Sequence, residues 1–177
     1  LKNKKNNEII INSGLSNVKG TTLLNICNNQ GASSAFKPNY EFLKLFNDDQ
    51  RFDIKSKENM NTDTLDSQLL KNKIKQLDFM KIDVQGSELN VLKGSTNSLK
   101  NIIGLEIECE ISELYSNQPL LGNILEFLSS KEFHLFDLKR YYWKRKNAKI
   151  NNDKKGQLIF VDALFFKQPE MLINEFK

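Results

Sequence analysis

Short apolar runs broken by Asn, Gly and Ser open the chain, and longer runs with helical or alternating spacing follow. Residues 8–11 and 21–27 are β-favouring and are separated by the turn-forming groups Asn12-Ser13-Gly14 and Val18-Lys19-Gly20. They predict two antiparallel strands in a short β-hairpin near the start. Residues 28–40 hold too much Asn, Gly, Ser and Pro for a long regular element and predict an exposed or ligand-facing loop, whereas 51–58 reads as extended. Leu65, Leu69, Leu70 and Ile74 recur near helical spacing behind Asp63 and Thr64, either of which can cap a helix over 65–74. Residues 77–83 then predict a strand, Val84-Gln85-Gly86 a turn, and 87–93 a helix stopped by Gly94. A helical turn over 95–100 precedes the apolar run 102–109, a strand carrying Glu106 and Glu108. Pro119 opens a helix with Leu120, Leu121, Ile124, Leu125 and Leu128 on one face. Strands over 133–138 and 158–166 complete the series, and the alternation predicts an α/β fold with a mostly parallel sheet covered by helices.

At 177 residues the chain is long enough for one domain with a sizeable core, and 39% apolar with 27% charged residues places it among folded rather than disordered chains. No apolar run approaches the roughly 18 residues of a membrane-spanning helix, and residues 1–7 are Lys- and Asn-rich rather than an apolar leader. Cys27 and Cys109 are far apart and in no metal-ligand spacing, which fits buried thiols in a reducing cytoplasm. The net charge of +4 is uneven: residues 139–155 carry eight basic residues against Asp153, a local excess of seven, which leaves the remainder at about −3. That distribution excludes a generally basic nucleic-acid-coating protein and assigns the charge to one loop. Tyr141, Tyr142 and Trp143 interleave with that charge, a combination that serves either as a solvated loop or as a surface for sugars, phosphates or bases.

The stretch Asp78-Phe79-Met80-Lys81-Ile82-Asp83-Val84-Gln85-Gly86-Ser87-Glu88, continuing through Val91-Leu92-Lys93-Gly94, resembles the signature of the FkbM-type methyltransferases. The resemblance extends to Thr64-Leu65-Asp66-Ser67, Leu105-Glu106-Ile107-Glu108, Leu114-Tyr115, Gln118-Pro119-Leu120 and Val161-Asp162-Ala163-Leu164-Phe165, and a Gly31-Ala32-Ser33-Ser34 loop is also similar. It implies a Rossmann-like class I methyltransferase sheet, mostly parallel with an antiparallel last strand, and S-adenosylmethionine as cofactor. It also implies that the family's first strand and glycine-rich turn, and the acidic end of its second strand, lie upstream of Leu1. The chain would then be the carboxy-terminal part of one domain and would not hold the whole cofactor alone.

Asp83 closes a strand just before a glycine turn, where ligands gather in doubly wound sheets, although such an aspartate can also merely cap the helix that follows. The resemblance places Asp83 beside the transferable methyl group as base or orienting group, with Glu108 assisting across the cleft. It implies a cofactor-facing set of Asp83, Val84, Gln85 and Gly86 and an acceptor-facing set of Glu88, Tyr142, Trp143, Lys144 and Arg145. Glu88 lies in a first helical turn, so a purely structural role competes with that one. Glu106 and Glu110 read as solvated companions, and His134 as structural. Gln85 stands where many family members carry Glu, which weakens a three-carboxylate metal site, and no metal is predicted. Asp162, inside an apolar strand, requires hydrogen bonds or a basic partner. The activity implied is transfer of a methyl group to a hydroxyl of a saccharide or small-metabolite acceptor. A rival reading is a non-catalytic methyltransferase-like module that uses loop 139–155 to hold an acidic partner or RNA. The sequence leaves the oligomeric state open.

Overall fold

A computed structural model of the chain describes residues 8–147 and 155–168. Strands β1 (Gly14–Leu15), β2 (Gly20–Cys27) and β3 (Ile54–Asp63) form a three-stranded sheet in the order β1-β3-β2, with β2 antiparallel and β1 parallel to β3. Residues 8–11 are not a strand, contrary to the predicted hairpin, and Ile10 is 93% exposed. Gly14, expected in the bend, is instead in the ladder, opposite Thr62, with the end of the Met60 side chain packed against its Cα. The partner of β2 is therefore β3, and the loop between them is filled by single 3-10 turns at Gln30–Ala32 and Asp49–Phe52 and by helix α1 (Tyr40–Leu43).

Helix α2 (Leu65–Lys71) starts as its sequence predicts, with the Thr64 hydroxyl accepting from Ser67 N–H at 3.1 Å. Asp63 accepts from Thr64 N–H at 2.9 Å and from the Gln68 amide at 2.8 Å, and pairs with Lys71. The Lys71 hydrogen bond is the main reason its carboxyl is held down to about 2. The helix stops short of 74 because the chain turns left-handed at Lys73.

Strands β4 (Phe79–Ile82), β5 (Gly104–Glu110), β6 (Phe133–Trp143) and β7 (Gln157–Lys167) form a second sheet in the order β4-β5-β7-β6. Helix α3 (Glu88–Lys93) connects β4 to β5, and α4 (Leu121–Ser129) connects β5 to β6. The fold is thus α/β with two mixed sheets, but its pairing is not the mostly parallel one expected. Only β4 and β5 pair in parallel in this sheet, and β7 is antiparallel to both its neighbours. Helical crossovers after β4 and β5 keep β4, β5 and β6 pointing the same way, whereas the direct return from β6 forces β7 to run against them.

One face of β7 spans both cores. Val161, Ala163 and Phe165 join Leu105, Ile107, Leu92 and Leu128, while Ile159 joins Cys27, Leu43, Phe46, Phe52 and Tyr115. Asp162, on the other face, has the partners its burial requires, accepting from the Tyr141 hydroxyl at 2.7 Å with Lys139 Nζ at 3.8 Å. His134 is exposed on β6, and among the described residues no helix is long and apolar enough to cross a membrane.

Gly94, read as a helix stop, also lets the end of α3 approach the segment after β1: a Cβ there would meet the Ser16 carbonyl oxygen at 2.0 Å. Gly94→Ala is expected to destabilise the chain by about 1–3 kcal/mol in chemical denaturation through overpacking. Gly122→Ala, on α4 with nothing within 4 Å of an added Cβ, is expected to be neutral or stabilising by up to about 1 kcal/mol.

Candidate functional site

After Ile82 the chain leaves β4 through a turn in which Gln85 (φ 52°) and Gly86 (φ 97°) are successively left-handed. Such backbone is costly at a non-glycine residue and persists only where its surroundings hold it. Glu88, 3% exposed, supplies most of that hold: one carboxylate oxygen accepts from Val84 N–H at 2.9 Å and Gly86 N–H at 3.2 Å. Burial pushes the Glu88 carboxyl up, and these main-chain bonds oppose the shift. On the other side of the turn the Ser34 hydroxyl donates to the Gln85 carbonyl at 2.6 Å, tying it to the loop after β2.

The Gln85 side chain lies at the centre of the site. Its amide nitrogen donates to Asp83 Oδ1 at 2.8 Å and to Glu108 Oε1 at 2.9 Å, so one neutral group links the two carboxylates. The Tyr115 hydroxyl, fully buried, lies 3.1 Å from Gln85 Oε1 and 2.9 Å from the Ala32 carbonyl, both acceptors for its proton. This contact makes the amide oxygen the acceptor toward Tyr115 and leaves the nitrogen for the carboxylates. Burial, then the charge of Asp83, pushes Glu108 up to about 7, with the Gln85 hydrogen bond pulling the other way. Glu110 is not the solvated companion expected. It is 1% exposed, and burial followed by the charge of Glu88 raises it to about 8. Glu106 does reach the surface, where it pairs with Lys81 at 2.6 Å.

Two cavities meet at this point. One of about 440 Å³ is lined by Asp83, Val84 and Gln85 together with Gly31, Thr22 and Met60. The other, about 240 Å³, is lined by Glu108 and Gln85 together with Asn29, Arg51 and Trp143. Gln85 and Gly31 border both. Asp83, Val84, Gln85 and Glu108 are therefore brought together. Gly86 is buried behind the wall, where a Cβ would touch Gln118 and Phe36, and Glu88 is turned inward as the clamp of the turn.

The basic segment divides. Its first part is strand β6, and residues 148–154 lie outside the described residues. Trp143 lines the smaller cavity, but Tyr142 lies near Lys155 Nζ at 5.5 Å, and Arg145 donates to Gln157 Oε1 at 2.9 and 3.1 Å. Tyr142, Lys144 and Arg145 line neither cavity. Among the described residues no three His, Cys, Asp or Glu side chains are gathered as a metal site. Arg51 and Asn29 were not singled out in sequence, and Ser34 and Tyr115 appeared there only as part of a family resemblance.

The carboxylates, the strained turn at a strand end and the adjoining cavities form the candidate site of this α/β fold. Residues 1–135 match the model of the methyltransferase FkbM domain, and the chain belongs to that family. No curated protein and no solved structure matches the chain in the corresponding searches. The matched residues run from before β1 into β6 and contain the whole Asp83 to Glu108 constellation.

Because the Gln85 amide lowers the Glu108 carboxyl, Gln85→Met, similar in shape but without the donor, is expected to raise its midpoint above about 7. Carbon-detected NMR titration of the Glu108 side-chain carboxyl measures the shift directly.

Proposed function

We propose that the chain is an S-adenosylmethionine-dependent O-methyltransferase acting on a hydroxyl of a saccharide or small-metabolite acceptor, in a Rossmann-like class I sheet of which β4-β5-β7-β6 is one half. The observation that carries this reading is the pair of carboxylates at the ends of β4 and β5, joined by one amide and opening on two adjoining cavities. The larger cavity falls within the roughly 300–1,000 Å³ of small-molecule sites. Its donor set fits the methyl-donating end of the cofactor, since the exposed Asp83 carboxylate offers a negative charge to a sulfonium while Gln30, Ser33 and Thr22 offer polar groups. Asp83, Val84 and Gln85 would hold that end. When bound, S-adenosylmethionine would supply a methyl group already activated by the sulfonium, transferred to the acceptor oxygen with S-adenosylhomocysteine as the leaving group.

What the chain must add is alignment and a destination for the hydroxyl proton. Glu108, pushed up to about 7, is matched to that task near neutral pH, where a carboxyl in water is too weak a base. Asp83 orients the acceptor hydroxyl, and its charge helps keep Glu108 basic. Gln85 fixes the distance between them and leaves each carboxylate a second oxygen for the acceptor. Activity should therefore rise with pH through about 7 as Glu108 ionises. Glu108→Gln is expected to lower kcat by about 10²–10⁴-fold and to flatten that limb of the profile.

Titration of S-adenosylhomocysteine into the chain, and into a form extended upstream to the full family domain, tests the cofactor assignment. Saturable binding to the extended form is expected, and its absence from both, with both folded, overturns the reading.

A further inference from the structure

The smaller cavity has a feature that the methyl-transfer reading does not use. Arg51, on the 3-10 turn Asp49–Phe52, lines it together with Glu108 and Gln85. The guanidinium lies 4.5 Å from the Trp143 ring centre and 4.9 Å from that of Phe52, so two aromatic faces fix its position. Those rings are themselves immobilised. Trp143 packs edge-on against Phe46 at 5.5 Å and Phe52 against Tyr115 at 5.9 Å. Arg51 makes no ion pair among the described residues, and its Nε is buried without a hydrogen-bond acceptor there. A preorganised guanidinium in a cavity wall is suited to a planar or tetrahedral anion, which it can grip through more than one N–H.

We propose that this cavity is the acceptor site and that Arg51 selects an acceptor bearing an anionic group, a carboxylate or phosphate on a single sugar-sized ring, with its hydroxyl turned toward Glu108. The proposal rests on the methyltransferase reading for the fate of that hydroxyl, but not for binding itself. At about 240 Å³ the cavity lies below the usual range for drug-sized ligands, so one ring fits and an extended chain does not. Trp143 serves here by holding Arg51, and Asn29 adds an amide at the same wall. The same cavity is lined by one cation, Arg51, and one carboxylate, Glu108, so an anionic substituent is drawn to Arg51 and repelled by Glu108, which orients the ring.

Saturation-transfer NMR on the whole chain with glucuronate, glucose 6-phosphate and methyl glucoside as probes tests this. Saturable binding of an acidic ring, at least tenfold tighter than the neutral one, is expected. Arg51→Gln should remove about a tenfold or larger preference, and Arg51→Lys should retain part of it. The two acidic probes separate a carboxylate from a phosphate preference, and binding of either supports the proposal. Equal binding of the neutral ring, or no saturable binding of either acidic ring to the folded chain, overturns it without use of any variant. Binding of S-adenosylhomocysteine to the extended form with no acidic ring bound keeps the methyltransferase reading and loses this one, and an acidic ring bound with S-adenosylhomocysteine bound by neither form does the opposite.

Discussion

One oxygen of Glu88, buried and bonded to the main-chain N–H groups of Val84 and Gly86, holds a turn that would otherwise relax out of two consecutive left-handed residues. Everything at the site follows from that turn. The left-handed conformation of Gln85 swings its side chain back across the end of the sheet, where the amide meets Asp83 on its own segment and Glu108 on the neighbouring strand. The parallel pairing of β4 with β5, Ile82 opposite Ile107, brings the two strand ends to the same level. The cost of burying Glu88 is offset by donors that the turn itself provides, so clamp and turn stabilise each other.

Polar groups at this depth exist as a connected set rather than as separate residues. Tyr115 reaches the Gln85 oxygen and the Ala32 carbonyl, and Ser34 reaches the Gln85 carbonyl. These contacts tie together the loop after β2, the turn after β4 and the segment after β5. Low dielectric strengthens each of these bonds and raises the cost of breaking one. It is also what moves Glu108 into the neutral range, since burial is the first cause of its shift and Asp83 the second.

Local order was legible in the sequence, and long-range pairing was not. The α2 cap at Thr64, the strand–turn–helix unit around Asp83 and the apolar face of α4 each depend on residues within a few positions of one another, and spacing reports them. The partner of β2 is β3, which begins 27 residues after β2 ends, and local turn residues do not report a pairing at that range. Strand direction in the second sheet is not encoded by alternation of elements, and the antiparallel last strand, which β7 is, was expected only from the family resemblance. The carboxylates of the site were visible because they sit on recognisable strand ends. Arg51, on a short turn of no periodic pattern, is brought to Glu108 only by tertiary folding. Glu110 was misjudged because strand alternation places it beside Glu108 and Glu106, whereas it is buried, with the Gln118 side chain from the segment after β5 beside it.

The position of β7 has a consequence for how such a chain is made. Among the described residues it is the last strand in sequence, yet it lies between β5 and β6 and supplies side chains to both hydrophobic cores. During synthesis β4, β5 and β6 emerge first, and until β7 is added β5 presents a bare hydrogen-bonding edge while β6 has nothing to pair with. Closure of the sheet is thus a single late event that joins distant segments, and contacts of that kind form slowly. A ribosome-bound nascent chain at that stage has its carboxylate strands made but not enclosed, which makes it the species most in need of protection from association with other chains.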